Sequence, residues 1–282
     1  MKSHAFFSVI AALVLAATSC SEISGSSSPS GTSCSRGTLV GGGVVAGTLA
    51  SGACIGTGGA AQTYVDYTTM LVAGERYLFT LRSDEPWPPV LELIDPADQA
   101  AGPRTGWSDD IIGTGAHSQL LFVSPYNGPV TLRVTSGLAN RPGAYTLRSS
   151  QCGGSSIAIG ATTARFDGSI DASDCVIHDR FIATDSAYAD TYILDFHDDG
   201  PKTVTIKARG GSVGIFKPAF VLTGPFVVGS TTLARQYTVS SIDSMSVPVG
   251  SSTWEGKYVL AVAGATPTTT GDYTLTVGPT AP

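Results

Sequence analysis

Residues able to do chemistry are few in this chain, and their spacing selects no reaction. Beyond the first segment the histidines are His117, His178 and His197. None sits in a His-Glu-x-x-His zinc motif. There is also no Gly-x-Ser-x-Gly elbow, no phosphate-binding loop and no dinucleotide fingerprint. His197 alternates with Asp195 opposite Tyr192, Leu194 and Phe196, so it is expected to face solvent. A Ser-His-Asp triad draws its members from anywhere in a fold, and nothing in the order of these residues picks one out. No catalytic residue is assigned. The chain reads as a non-enzyme, with a hydrolase as the third-ranked reading.

Two acidic groups and three tryptophans remain as binding candidates. Asp167, Asp171, Asp174 and Asp179 crowd one stretch, and Asp195, His197, Asp198 and Asp199 another. Calcium takes six to eight hard oxygens from such loops, but neither group has the Asp-x-Asp-x-Asp-Gly spacing. The expectation is therefore no cofactor and no metal site, with calcium the one ion these loops could take. Trp87, in Glu85-Pro-Trp-Pro-Pro89, and Trp107, followed by Asp109 and Asp110, read as loop tryptophans beside carboxylates. That combination can stack a sugar ring and bind its hydroxyls; the competing reading is a loop plug over the core. Trp254 lies in a further turn.

The elements that must position these residues are strands. With 34 Gly and 16 Pro, and no Lys between Lys2 and Lys202, good surface helix formers are missing. Alternating segments replace them: Tyr77–Leu81, Val130–Val134, Tyr192–Phe196, Thr203–Ile206, Tyr258–Val262 and Tyr273–Val277. Period-two alternation between Gly, Pro and Asp turns predicts half-buried antiparallel strands. Charged residues make up only 13% and the net charge is −6 without a basic stripe, so a nucleic-acid binder lacks its electrostatic footprint.

The N-terminus reads as a processing signal. A short basic head, an apolar run from Ala5 to Ala17 and small residues follow in the secretory order. The run is shorter than the ~20 residues a membrane helix needs. Leu15-Ala-Ala-Thr-Ser-Cys20 resembles a bacterial lipobox, which implies acylation of Cys20 and a chain held at the membrane by its lipid alone. Ordinary cleavage near Ala17 to Ser19, giving a secreted or periplasmic protein, is the alternative. Residues 21–33 are Ser, Gly, Pro and Thr rich and read as a flexible tether.

The remainder contains itself twice. Gly128–Val134 matches Gly256–Val262 and Gly143–Leu147 matches Gly271–Leu275, both offset by 128 residues. Leu91-Glu-Leu-Ile-Asp-Pro96 parallels Phe220-Val-Leu-Thr-Gly-Pro225. Two long copies predict a tandem duplication, with domains at 34–149 and 152–279. Cys34 and Cys54 answer to Cys152 and Cys175, and among three possible pairings the repeat selects Cys34–Cys54 and Cys152–Cys175.

These motifs, closing on Gly143-Ala-Tyr145-Thr-Leu147 and Gly271-Asp-Tyr273-Thr-Leu275, resemble the bacterial pre-peptidase C-terminal domain family. The resemblance implies two tandem antiparallel jelly-roll-like β-sandwich domains, a type appended to exported proteins for secretion, substrate binding or calcium-dependent stability. No peptidase accompanies them here, and a cysteine pair heads each copy. Tyr145 and Tyr273 are expected to pack at the sandwich edge with their hydroxyls on loop backbone, as tyrosine corners do. The function so read is a lipid-anchored envelope protein presenting two binding or adhesion modules to a polysaccharide or an extracellular protein. A structural or accessory subunit of an envelope or secreted-enzyme complex is the alternative.

Overall fold

The computed structural model describes residues 34–50, 54–55, 63–83, 85, 87–94, 104–105, 107–111, 115–138, 141, 143–150, 152–177, 187–197, 201–213, 215–223, 235–239, 244–249, 256–266 and 268–279. The leader, Cys20, the tether, His178, Asp179, Asp198, Asp199 and Trp254 lie outside the described residues. Residues 33–282 form one compact unit.

The fold is all-β, and its strands make four sheets. Sheet A contains β1 (Ser35–Thr38), β3 (Cys54–Ile55), β4 (Thr63–Leu71), β6 (Pro89–Ile94), β7 (Arg104–Thr105) and β10 (Gly128–Ser136). Its order is β1-β4-β10-β6-β7, with β3 also on β4. Sheet B contains β2 (Val44–Leu49), β5 (Arg76–Ser83), β8 (Trp107–Ile111), β9 (Gly115–Val123) and β11 (Gly143–Ser150), in the order β2-β11-β5-β9-β8. Sheet C contains β12 (Ser156–Ile159), β14 (Cys175–Ile177), β15 (Ala187–Phe196), β17 (Pro218–Thr223), β18 (Arg235–Val239) and β20 (Gly256–Gly264), in the order β12-β15-β20-β17-β18 with β14 on β15. Sheet D is β13 (Ala164–Ile170), β21 (Gly271–Pro279), β16 (Lys202–Ala208) and β19 (Ser244–Val249). Neighbours are antiparallel except β1 on β4 and β12 on β15.

Registers make the halves superimposable position by position. Tyr145 pairs with Gly47 as Tyr273 pairs with Gly168, and Leu132 with Tyr67 as Leu260 with Tyr192. Disulfides join Cys34 to Cys54 and Cys152 to Cys175, with Cα atoms 5.6 and 5.5 Å apart. Bonds of this kind persist in an oxidising compartment, which puts the folded unit outside the cytosol or in the envelope.

Each half has its own core. Between A and B lie Tyr67, Leu91, Leu132 and Val134 against Phe79, Leu81, Phe122 and Leu147. Between C and D lie Tyr192, Leu194, Phe220 and Leu260 against Val204, Ile206, Tyr273 and Leu275. A third core joins the halves: Leu78, Leu121 and Val123, on the far face of sheet B, pack with Ile193, Val221 and Val259 and five alanines of sheet C. The unit is therefore a stack of four layers, A-B-C-D, in which B and C are covered on both faces. Their central strands show it: β17 is buried throughout, and so is the described length of β9 from His117 to Val123. Strands covered on both sides read as unbroken apolar runs instead of alternating ones. Leu120-Leu-Phe-Val123 and Tyr258-Val-Leu-Ala-Val-Ala263 are such runs.

The outer layers carry the opposite chemistry at the same positions. Where sheet C has Thr191, Ala261 and Val221, sheet A has Asp66, Arg133 and Glu92, side by side on three strands. Arg133 grips Asp66 through Nε–Oδ1 at 2.8 Å and Nη2–Oδ2 at 3.0 Å, with its guanidinium 3.7 Å from the Tyr64 ring centre. Burial raises the Glu92 carboxyl pKa, against the pull of Arg133. On sheet D, Thr203 stands where sheet B has Leu78. Replacing Leu78 by Thr leaves a cavity and a buried hydroxyl, so about 2–4 kcal/mol of stability is lost. The reciprocal Thr203→Leu changes stability by less than about 0.5 kcal/mol, and denaturant unfolding of both variants checks the difference.

Candidate functional site

Where the polar ends of sheets B and C diverge, they leave a cleft of about 960 Å³. Alternation on β5 and β11 turns Thr80, Arg82, Thr146, Arg148 and Ser150 away from the A–B core and toward it. The facing wall is Ser173, Asp174, Cys175, Val176, Ala189 and Asp190, from the turn before β14, β14 itself and the start of β15. Gly153 and Gly154 complete the lining. One wall thus carries two guanidinium groups and the other Asp174 and Asp190, the carboxyl of Asp190 being turned toward Tyr273 on the C–D side. Such a surface can hold a polar ligand through charge-assisted hydrogen bonds.

The segment between the halves is built in, despite its glycines. Thr191 Oγ1 donates to Gly153 O at 2.8 Å, and Ile193 N to Ser155 O at 3.0 Å. Arg76, from β5, donates through Nη2 to Gly154 O at 2.6 Å and through Nη1 to Thr191 O. Burial lowers the Arg76 pKa, with Glu75 opposing. Gly154 has φ +138°, and a Cβ there would lie 1.7 Å from Thr191 O, so only glycine fits. One arginine of the first half thereby fastens two carbonyls of the second, and the cleft walls are held in register.

Asp190 is the unusual residue of the cleft lining, because its carboxyl faces the C–D side. It receives a hydrogen bond from Tyr273 Oη at 2.6 Å, and Tyr273 Oη also meets Tyr192 Oη at 2.6 Å. Its pKa is raised, first by burial and then by the charges of Asp174 and Asp171, while the Tyr273 bond opposes the rise. The corresponding position of the first half is Val65, inside the A–B core. Burial pushes the Tyr273 hydroxyl far up as well.

Several sequence expectations need correction here. Trp87 is no ligand platform. It is 2% exposed, sits in the A–B core and donates from Nε1 to Ala144 O at 3.3 Å. Gly143 makes room for it, as Gly271 does for Phe216, so both halves plug their cores with an aromatic from the same connection. Trp107, Asp109 and Asp110 belong to a strand, not a loop: β8 sets Trp107 opposite Gln119, Asp109 opposite His117 and Asp110 opposite Ala116. Their side chains lie outside the described residues. β8 edges sheet B on the side away from β11, so Trp87 and Trp107 are not brought together at the cleft. The closing tyrosines do not cap loops either. Tyr145 Oη meets Tyr67 Oη at 2.8 Å across the A–B core, as Tyr273 meets Tyr192 across the C–D core.

Asp171 accepts from Ser173 N at 2.7 Å and Ser173 Oγ at 2.5 Å, and Asp174 Oδ2 accepts from Asp171 N at 2.7 Å, so this acidic stretch is a hydrogen-bonded turn. Asp167 accepts from Thr274 Oγ1 at 2.6 Å and faces Arg209 and Arg165, which together hold its carboxyl below its usual pKa. Among the described residues no group of three or more His, Cys, Asp or Glu could hold a metal ion. His117 is buried within β9 and His197 is exposed. Arg82 and Arg148 went unread because an arginine alternating outward on a strand looks like ordinary surface.

No protein-family model matches the chain, and no curated protein matches it. Among solved structures, it is similar to the pre-peptidase C-terminal domain of a collagenase from Bacillus anthracis, at 16% identity and a TM-score of 0.29, covering 40% of this chain and 94% of that one. It is also similar to a protein of Eubacterium rectale described as secreted, at 10% identity and a TM-score of 0.25, covering 86% and 80%.

A raised carboxyl pKa means that the folded state disfavours the ionised form. Stability contributed by neutral Asp190 is full below its unfolded pKa of about 4 and is lost as pH rises through the higher folded value. Asp190→Asn keeps an acceptor for Tyr273 but cannot ionise. Its melting temperature relative to the parent should therefore climb as pH goes from about 4 to 8. A constant difference across that range contradicts the assignment.

Proposed function

We propose that the protein is a non-catalytic binding protein of the bacterial envelope, exported and held at the membrane by an acyl chain on Cys20. Its two sandwich modules, 34–149 and 152–279, are of the pre-peptidase C-terminal type, and they act as one binding unit. The observation that carries this reading is the cleft with Arg82 and Arg148 on one wall and Asp174 and Asp190 on the other. Its ligand is a polar chain, a polysaccharide or an extracellular protein segment, whose hydroxyl, carboxyl or amino groups replace the water in the cleft. The two disulfides support an oxidising location.

The test is an array of glycans and extracellular proteins probed with residues 33–282, with and without calcium. A specific ligand is expected. Charge-assisted hydrogen bonds of about 1.5–3 kcal/mol each predict at least a tenfold loss of affinity in the Arg82→Ala, Arg148→Ala double variant. Its melting temperature should stay close to the parent's. A ligand held equally well by the double variant moves the site elsewhere. No ligand at all, from a folded and monodisperse unit, overturns the reading.

A further inference from the structure

The two halves serve as controls for each other, and one end of the first sandwich fails the comparison. Met70, at the end of β4, is 60% exposed, and Val72, two residues on, is 52% exposed. Val40, just past β1, is 65% exposed. The Leu39 N to Thr68 O bond of 2.8 Å lays this segment beside the same end of β4. Across the ladder Met70 pairs with Pro129, also exposed. At the corresponding rungs the second half has Asp195 for Met70, paired with Lys257 for Pro129, and His197 for Val72. A rung of opposite charges has become an apolar one at positions that water reaches in both halves.

Charge is confined to the border of this end, where Glu75 follows the turn and the Lys257 ammonium lies near Gly74. Residues 37–65, 67–74 and 118–132 contain no Asp, Glu, Lys, Arg or His. The turn that carries Val72 is fixed by Val72 N donating to Tyr77 Oη at 2.8 Å, Ala73 N to Asn127 Oδ1 at 2.9 Å and Gly74 N to Ser124 O at 2.8 Å. Three apolar side chains are thus displayed on a braced end whose own segments carry no charge.

We infer that this end of the first sandwich docks onto the surface of a lipid bilayer, Met70, Val72 and Val40 entering the boundary between headgroups and acyl chains. The argument for a bilayer over other occupants is where the chain begins. Cys34 opens the strand that leads to Val40, and the 13 residues between Cys20 and Cys34 span at most about 45 Å. A lipid on Cys20 therefore keeps this end within reach of the membrane, where even a weak apolar contact is repeatedly remade. The uncharged segments that carry Val40, Met70 and Val72 suit a contact driven by apolar burial more than by anionic headgroups. This inference rests on the envelope location proposed above, but its test does not use the acyl chain.

The experiment is flotation of residues 33–282 with phosphatidylcholine–phosphatidylethanolamine vesicles. The comparison variant is Met70→Asp with Pro129→Lys, a rung that the second half already accommodates at Asp195 and Lys257. The parent is expected to float, to remain bound at about 0.5 M salt, and to lose at least tenfold of its bound fraction in the variant at an unchanged melting temperature. A parent that does not float overturns the inference, as does a variant that floats equally or binding that salt removes. A parent that dimerises, with the variant monomeric and neither floating, assigns the surface to a second copy and overturns it too. Acylation of Cys20 is read separately from the mass of the intact chain, so loss of the anchor and loss of the docking surface are told apart.

Discussion

The structure depends on one constraint, that sheets B and C must be dry on both faces. Leu78, Leu121 and Val123 meet Ile193, Val221 and Val259, while Ala187, Ala189, Ala219, Ala261 and Ala263 let the sheets approach closely. Burying one large aliphatic side chain is worth about 1.5–3 kcal/mol, and a whole domain is stable by only about 5–15 kcal/mol. Six such side chains therefore make the contact between halves comparable with the stability of either half. The cleft is a by-product of the same contact. It lies beyond the apolar part, where sheet B carries Thr80, Arg82, Thr146 and Arg148.

Much of the fold was legible because each half keeps a period-two stripe, as β4 and β11 show with their alternating burial. The repeat supplied the strand correspondence, and with it the disulfide pairing. What escaped was the layer order. A run such as Tyr258-Val-Leu-Ala-Val262 contains an alternating set, and that set alone predicts one buried face. The intervening Val259 and Ala261 were the signal that the other face is covered too. In sequence alone the Gly153-Gly154 pair is ambiguous, since glycine permits both a swivel and a tight approach. Only Arg76, distant in sequence, decides between them.

The candidate site was read poorly for a related reason. Trp87 has the composition of a sugar platform, but its place in the connection after β5 matches that of Phe216 after β16, and a plug is what both are. Asp190 lies in an alternating strand, where a carboxyl is expected to point to water. Here it faces the core side, where the first half has Val65, and takes the Tyr273 proton donor instead. A comparison of the halves residue by residue exposes it, since an acid standing where its counterpart is valine has no packing reason to be there. The tyrosine–glycine rung is the contrary case. Tyr145 over Gly47 and Tyr273 over Gly168 recur unchanged, because a Cβ on either glycine would lie 2.5 Å from the tyrosine ring.

Sheet B corresponds to sheet D and sheet A to sheet C, so the contact between the halves joins two unlike faces, head to tail. Such a contact has no symmetry to close it, and a third unit could add to the free face of D, or to that of A, by the same geometry, growing a fibre. The ends of the stack carry the stops. Asp66, Arg133 and Glu92 occupy the face that would receive the sheet D of another copy, and Thr203, Thr205 and Lys207 the face that would receive its sheet A. A few polar side chains on the two terminal sheets thus stand where continued stacking would need apolar ones.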